Sequence, residues 1–179
     1  MDGLFVHFNE VYGAEKYIVK IATDYAMTDA KNYEFISNAG VIDDLFTGKQ
    51  YYLQVVAESD SGFLSSPIIP FKTAETPRTI SLENVPNSRD MGGWKTIDGN
   101  RLKQGIVYRT ALLDNITEAG KQKAKEVYGI KTDLDLREAD EGEIQGVSPL
   151  GTDVRYVNIS GCYYVGGNMG INLTKNWEN

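Results

Sequence analysis

The sequence predicts two domains: an all-β sandwich over residues 1–75 and an incomplete α/β domain over residues 79–179. Three observations predict this. Short runs rich in β-branched and aromatic residues fill the first 75 positions at sandwich spacing, a helix, glycine and strand follow one another after residue 117, and the charge changes character between the halves. Residues 1–75 carry 11 acidic residues, 5 lysines and no arginine, whereas residues 76–179 carry 14 acidic residues, 7 lysines and all six arginines. Arginine is the side chain best shaped to grip a phosphate bidentately, so the second half suits a phosphate-handling site. Ordinary surface composition is the competing explanation of the same count.

In the first half, Leu4–Phe8, Tyr17–Ile21, Tyr33–Ile36, Tyr51–Ala57 and a last run near Ile68–Thr73 read as strands. Turn formers separate them at Tyr12-Gly13-Ala14, Ser37-Asn38-Ala39-Gly40 and Ser59-Asp60-Ser61-Gly62. His7 lies on an alternating strand with no partner in sequence, which is the setting of a structural or surface histidine. Thr73–Arg78 reads as a linker, because Pro77 removes a donor and biases Thr76 toward an extended backbone.

In the second half, Trp94–Ile97 and Asn100–Lys103 flank Asp98-Gly99, a hairpin whose glycine supplies a positive φ. Ile106-Val107-Tyr108 reads as a short buried strand ending in Arg109. Thr117 caps an expected helix from Glu118 to Tyr128, Gly129 stops it, and Ile130–Leu136 alternates as a strand running into Arg137-Glu138. Ligands of open α/β sheets collect beyond the carboxyl ends of the strands. Arg109, Asp135, Arg137 and Glu138 are therefore candidates, with an arginine-carboxylate lock between strand ends as the alternative.

The net charge of -7 argues against a nucleic-acid groove or an anionic membrane surface, which need clustered cations. No apolar run approaches the length of a membrane span, and Met1-Asp2-Gly3 has no signal-like basic or apolar stretch, so an export signal would lie outside these residues. One cysteine, Cys162, excludes an internal disulfide, and one histidine argues against a Cys/His zinc site. No metal and no cofactor is expected. Asn115, Asn158 and Asn172 begin glycosylation-type triplets, a pattern that chance also produces.

The stretch Leu45–Ala57 resembles the fibronectin type III signature, with Tyr51 as its corner tyrosine and Leu53, Val55 and Ala57 pointing inward. The usual first strand of that module is short or absent here, and Phe8 stands where a core tryptophan is common. Asn87–Gly93, Gly105–Leu113 and Gly129–Arg137, three motifs in order within about Ser81–Glu143, resemble the bacterial tyrosine-phosphatase family, which acts on phosphotyrosine, other phosphoproteins and phosphoinositides. The resemblance implies that Arg89 and Asp90 form the Asn-x-Arg-Asp loop beside the active site. It implies that Arg109 is a buried organising arginine, that Asp135 is a supporting acid near the phosphate pocket, and that Arg137 helps bind substrate.

That family's chemistry uses a cysteine thiolate in a loop of backbone N–H groups, with an arginine six residues later to hold the phosphoryl oxygens. Here Gly161 precedes Cys162, Asn168 stands six residues on, and no arginine follows. Cys162 is therefore expected to be an ordinary thiol, and residues 79–179 the N-terminal part of a phosphatase domain whose nucleophile and C-terminal segment lie elsewhere. A phosphorylated protein or a phosphoinositide is the expected substrate, and the isolated chain is expected to be inactive. The rival expectation is a non-catalytic extracellular binding or adhesion module with a degenerate phosphatase-like segment. In bacteria such sandwiches commonly accompany exported enzymes, which points to a secreted or cell-surface setting.

Overall fold

The structure, a computed structural model, describes residues 3–137 and 146–159. It is mostly β-sheet and divides into two compact units, Met1–Leu112 and Leu113–Asn179. Residues 79–112, expected with the second domain, thus belong to the first unit.

In the first unit, β1 (Leu4–His7), β2 (Ala14–Ala22), β3 (Lys31–Phe35), β4 (Ala39–Ile42), β5 (Gln50–Ser59), β6 (Gly62–Ser65) and β7 (Ile69–Lys72) form two antiparallel sheets. One has the order β3-β2-β5-β6, with β7 also paired to β5; the other is β1 with β4. Because side chains alternate across a strand, Tyr17, Val19 and Ile21 of β2 all bury on one face. Val19, Ile21 and Tyr51 from the large sheet share a core with Val6 and Ile42 from the small one. Burying a side chain of this size contributes about 1.5–3 kcal/mol. Phe8 joins the edge of this core and meets Tyr17 edge-on at 4.8 Å.

Two strands differ from the sequence expectation. Ala39-Gly40, expected in a turn, opens β4, because a side chain at Gly40 would meet the Phe35 ring at 2.6 Å and glycine leaves that ring its place. Phe63 and Leu64 lie in β6, a strand that the turn residues around it concealed.

Beyond β7 the chain folds back onto the same unit. β8 (Arg89–Asp90) pairs antiparallel with β9 (Tyr108–Arg109), placing Arg89 opposite Arg109. Ile106 and Val107, expected in a buried strand, are both more than half exposed and precede β9, since only Tyr108 and Arg109 find a partner. The hairpin forms with Gly99 at φ +82° and a Thr96 N–H bond to the Asn100 carbonyl of 2.9 Å, and its arms meet at a single bridge between Lys95 and Arg101. Gln104 fastens this region to the loop before β5: its amide accepts from the Thr47 N–H at 2.9 Å and donates to the Thr47 carbonyl at 3.0 Å.

In the second unit, α1 (Glu118–Glu126) starts at Thr117, whose hydroxyl accepts from the Gly120 N–H at 3.0 Å. It ends two residues before the expected Tyr128. Gly129, at φ +66°, turns the chain so that the Ile130 N–H reaches the Ala124 carbonyl at 3.0 Å. β10 (Thr132–Asp135) then pairs in parallel with β11 (Arg155–Asn158). Among the described residues of this unit, Ile116, Ala124, Tyr128, Leu150 and Val154 are the buried apolar ones. Among the described residues no helix is long and apolar enough to cross a membrane.

Candidate anion site

Two groups of polar side chains stand out, one in each unit. In the first, the register of β8 and β9 sets Arg89 directly across from Arg109. Antiparallel partners project from the same face with Cβ atoms about 5 Å apart, and like charges so placed repel. Among the described residues neither guanidinium has a hydrogen bond or ion pair with another side chain. Arg109, expected to be buried, is exposed, while Arg89 is half-buried. Arg109 is the last residue of β9.

Asp90 has a different environment from its neighbour. Its side chain is wholly buried, and every contact is satisfied within the fold: Oδ1 accepts the Gly92 N–H at 2.8 Å, and Oδ2 accepts the Gly105 N–H at 2.8 Å and Arg78 Nε at 3.2 Å. Gly92 and Gly105 suit these positions. A side chain on Gly92 would collide with the Lys103 carbonyl, and Gly105 has φ +76° beside the Phe46 ring. Arg78, read from sequence as part of a linker, carries the buried charge that Asp90 needs. The sequence signal for it was faint: a single arginine just after Pro77, at the point where arginines begin.

In the second unit, Asp135 ends β10 and accepts from Arg137 through both oxygens, with Nη2 to Oδ2 at 2.7 Å, Nε to Oδ1 at 3.0 Å and the Arg137 N–H to Oδ1 at 3.0 Å. Tyr156 on β11 donates its hydroxyl to Oδ2 at 2.8 Å. Arg137 also reaches Asp114 Oδ2 at 3.3 Å, and Asn158 donates to the carbonyls of Asp135 and Arg137. The Arg137 hydrogen bonds lower the Asp135 pKa to about 2, against the opposing effect of burial. A proton donor at neutral pH needs the opposite shift. The neighbouring Asp133 is raised, because burial outweighs the hydroxyl that Ser148 donates to it at 2.9 Å. Tyr156 and Asn158 were not anticipated from sequence, since nothing in a single strand reveals which strand will lie beside it.

Glu138, Cys162 and Asn168 lie outside the described residues. Among the described residues no cluster of three or more His, Cys, Asp or Glu side chains could hold a metal ion.

Comparison with protein families matches residues 80–176 to the tyrosine phosphatase family, more than half of the chain. The chain belongs to that family, and membership supports a phosphatase-type function acting on phosphorylated substrates. No curated protein and no solved structure matches it.

Proposed function

We propose that residues 79–179, of which 80–176 match the family, are the N-terminal part of a cysteine-dependent phosphatase domain that binds the phosphate of a phosphotyrosine protein or a phosphoinositide, and whose nucleophile is not among these 179 residues. The cross-strand pair Arg89 and Arg109 carries the reading: two like charges held face to face are relieved by an anion between them. The sequence adds that no Cys-x5-Arg loop occurs in the chain. Arg89 and Arg109 are the substrate-binding groups of this reading. Asp90 shapes the loop from inside, and Asp135, held as an anion, orients Arg137 instead of giving up a proton. A thiolate supplied by another segment would attack phosphorus and break the ester P–O bond, releasing the alcohol or phenol, which takes up a proton, and forming phosphocysteine; water then breaks the P–S bond to give inorganic phosphate and the free thiolate.

The first strands are compatible with a fibronectin type III-like module. The Tyr51 hydroxyl accepts the Phe46 N–H at 3.1 Å, five residues upstream, as a tyrosine corner does. Such a module favours a secreted or cell-surface setting.

The test is a titration with inorganic phosphate followed at the arginine Nε–H signals, alongside an aryl phosphate hydrolysis assay. The 179-residue chain is expected to bind phosphate, to lose about tenfold or more in affinity on Arg89→Ala or Arg109→Ala, and to release no phenol. Robust turnover by this chain would place the nucleophile within it. Absence of phosphate binding would favour the non-catalytic adhesion module.

A further inference from the structure

We infer that Arg78 is a positioning residue through which the loop before β5 holds the Asn87–Gly93 segment in place. Arg78 lies two residues before the span that matches the family. Its side chain is 8% exposed. Nε and Nη2 both meet Asp90 Oδ2 at 3.2 Å, while Nη1 donates to the Asp44 carbonyl at 2.6 Å and the Leu45 carbonyl at 3.4 Å. The guanidinium also lies 4.7 Å from the Phe46 ring centroid. A guanidinium is planar and rigid, so its two ends cannot move independently. A shift of residues 44–46 is therefore carried to Asp90, and from Asp90 to the Gly92 and Gly105 amides that its carboxylate holds. Arg89 adjoins Asp90 in the same short strand, so the same contact fixes where Arg89 stands across from Arg109. The relevance to phosphate rests on the anion-site reading above; the mechanical coupling does not. The N-terminal strands are then a support for the site and not a spacer in front of it.

Backbone hydrogen exchange on the full chain tests this, with Gly92 and Gly105 as reporters and Val19 and Val55 of the β2–β5 pairing as controls. Arg78→Lys keeps the charge but loses the fork, and exchange at Gly92 and Gly105 is expected to accelerate about tenfold while the controls hold. Phe46→Leu, at a residue that does not bond Asp90, is expected to accelerate Gly92 when Arg78 is present and to add nothing when it is lysine. Equal acceleration everywhere, or an unmoved Gly92, overturns the proposal. Should Arg78→Lys fail to fold, Phe46→Leu alone decides: faster exchange at Gly92 supports the coupling and unchanged exchange refutes it. A chain that shows the coupling but binds no phosphate keeps Arg78 as a positioning residue and removes the anion reading.

Discussion

Among the described residues one well-bonded arginine–aspartate pair stands out in each unit, Arg78–Asp90 and Arg137–Asp135, and the two are built for different tasks. Arg78 and Asp90 have side chains 8% and 0% exposed; Arg137 and Asp135 are 19% and 9% exposed. The first aspartate spends its remaining contacts on backbone amides of two glycines, so it shapes a turn. The second spends them on a tyrosine hydroxyl and on the residue two places along, so it sets the direction of an arginine at a strand end. Burying two charges costs several kcal/mol each and is tolerated only when every lone pair is used. The fully enclosed pair is thus a joint, and the partly open pair is a mount whose charge still reaches solvent.

The largest expected effect breaks the joint. Asp90→Ala leaves a buried guanidinium and two glycine amides without their acceptor. Removing one partner of a buried pair costs about 3–5 kcal/mol, which thermal unfolding followed by circular dichroism should register as a large drop in midpoint. A loss below about 1 kcal/mol, the range of an exposed pair, would erase the distinction.

The mount should instead declare itself in acid. The folded pKa of Asp135, about 2, lies below its ordinary value of 3.8, so its stabilisation is full above about pH 4 and is lost as pH falls toward 2. The amount is on the order of 2 kcal/mol. Asp133 works in the opposite sense: its raised pKa makes it costly above its folded pKa, and that cost is relieved as pH falls. Asp135→Asn should therefore reduce the acid-side loss in a plot of unfolding free energy against pH, leaving the part due to Glu75, Glu118, Asp29 and Asp98, whose hydrogen bonds also lower their pKa values, and the opposing rise due to Asp133. Persistence of the original slope in that variant would assign it to other carboxylates.

The two pairs also differ in how far the sequence disclosed them. Strand β2 was legible because burial follows its period of two, and α1 because Thr117 and Gly129 mark its ends chemically. Arg137 beside Asp135 could be read directly, since only Leu136 separates them. Arg78 could not, because its partners at Asp44, Leu45 and Asp90 come together only by tertiary folding. The same limit hid β4, where the space needed by Phe35 decides that Gly40 belongs to a strand. The exposure of Arg109 was equally out of reach, because a short run of sequence does not show what will pack against it.

The smallest expected effect concerns how the mount is held. The Tyr156 hydroxyl is a neutral donor to a carboxylate that already has four hydrogen bonds from Arg137. Tyr156→Phe removes that one bond and keeps the ring, so the cost should be about 1 kcal/mol in urea unfolding. Its sharper consequence is electrostatic. Arg137 and Tyr156 both lower the Asp135 pKa, with Arg137 foremost, so the variant should raise that pKa without restoring the ordinary value. Carboxyl NMR titration of Asp135 measures this directly. An unchanged midpoint would mean that Arg137 alone holds the charge, and the parallel pairing of β10 with β11 would then contribute the position of Asp135 but not its ionisation.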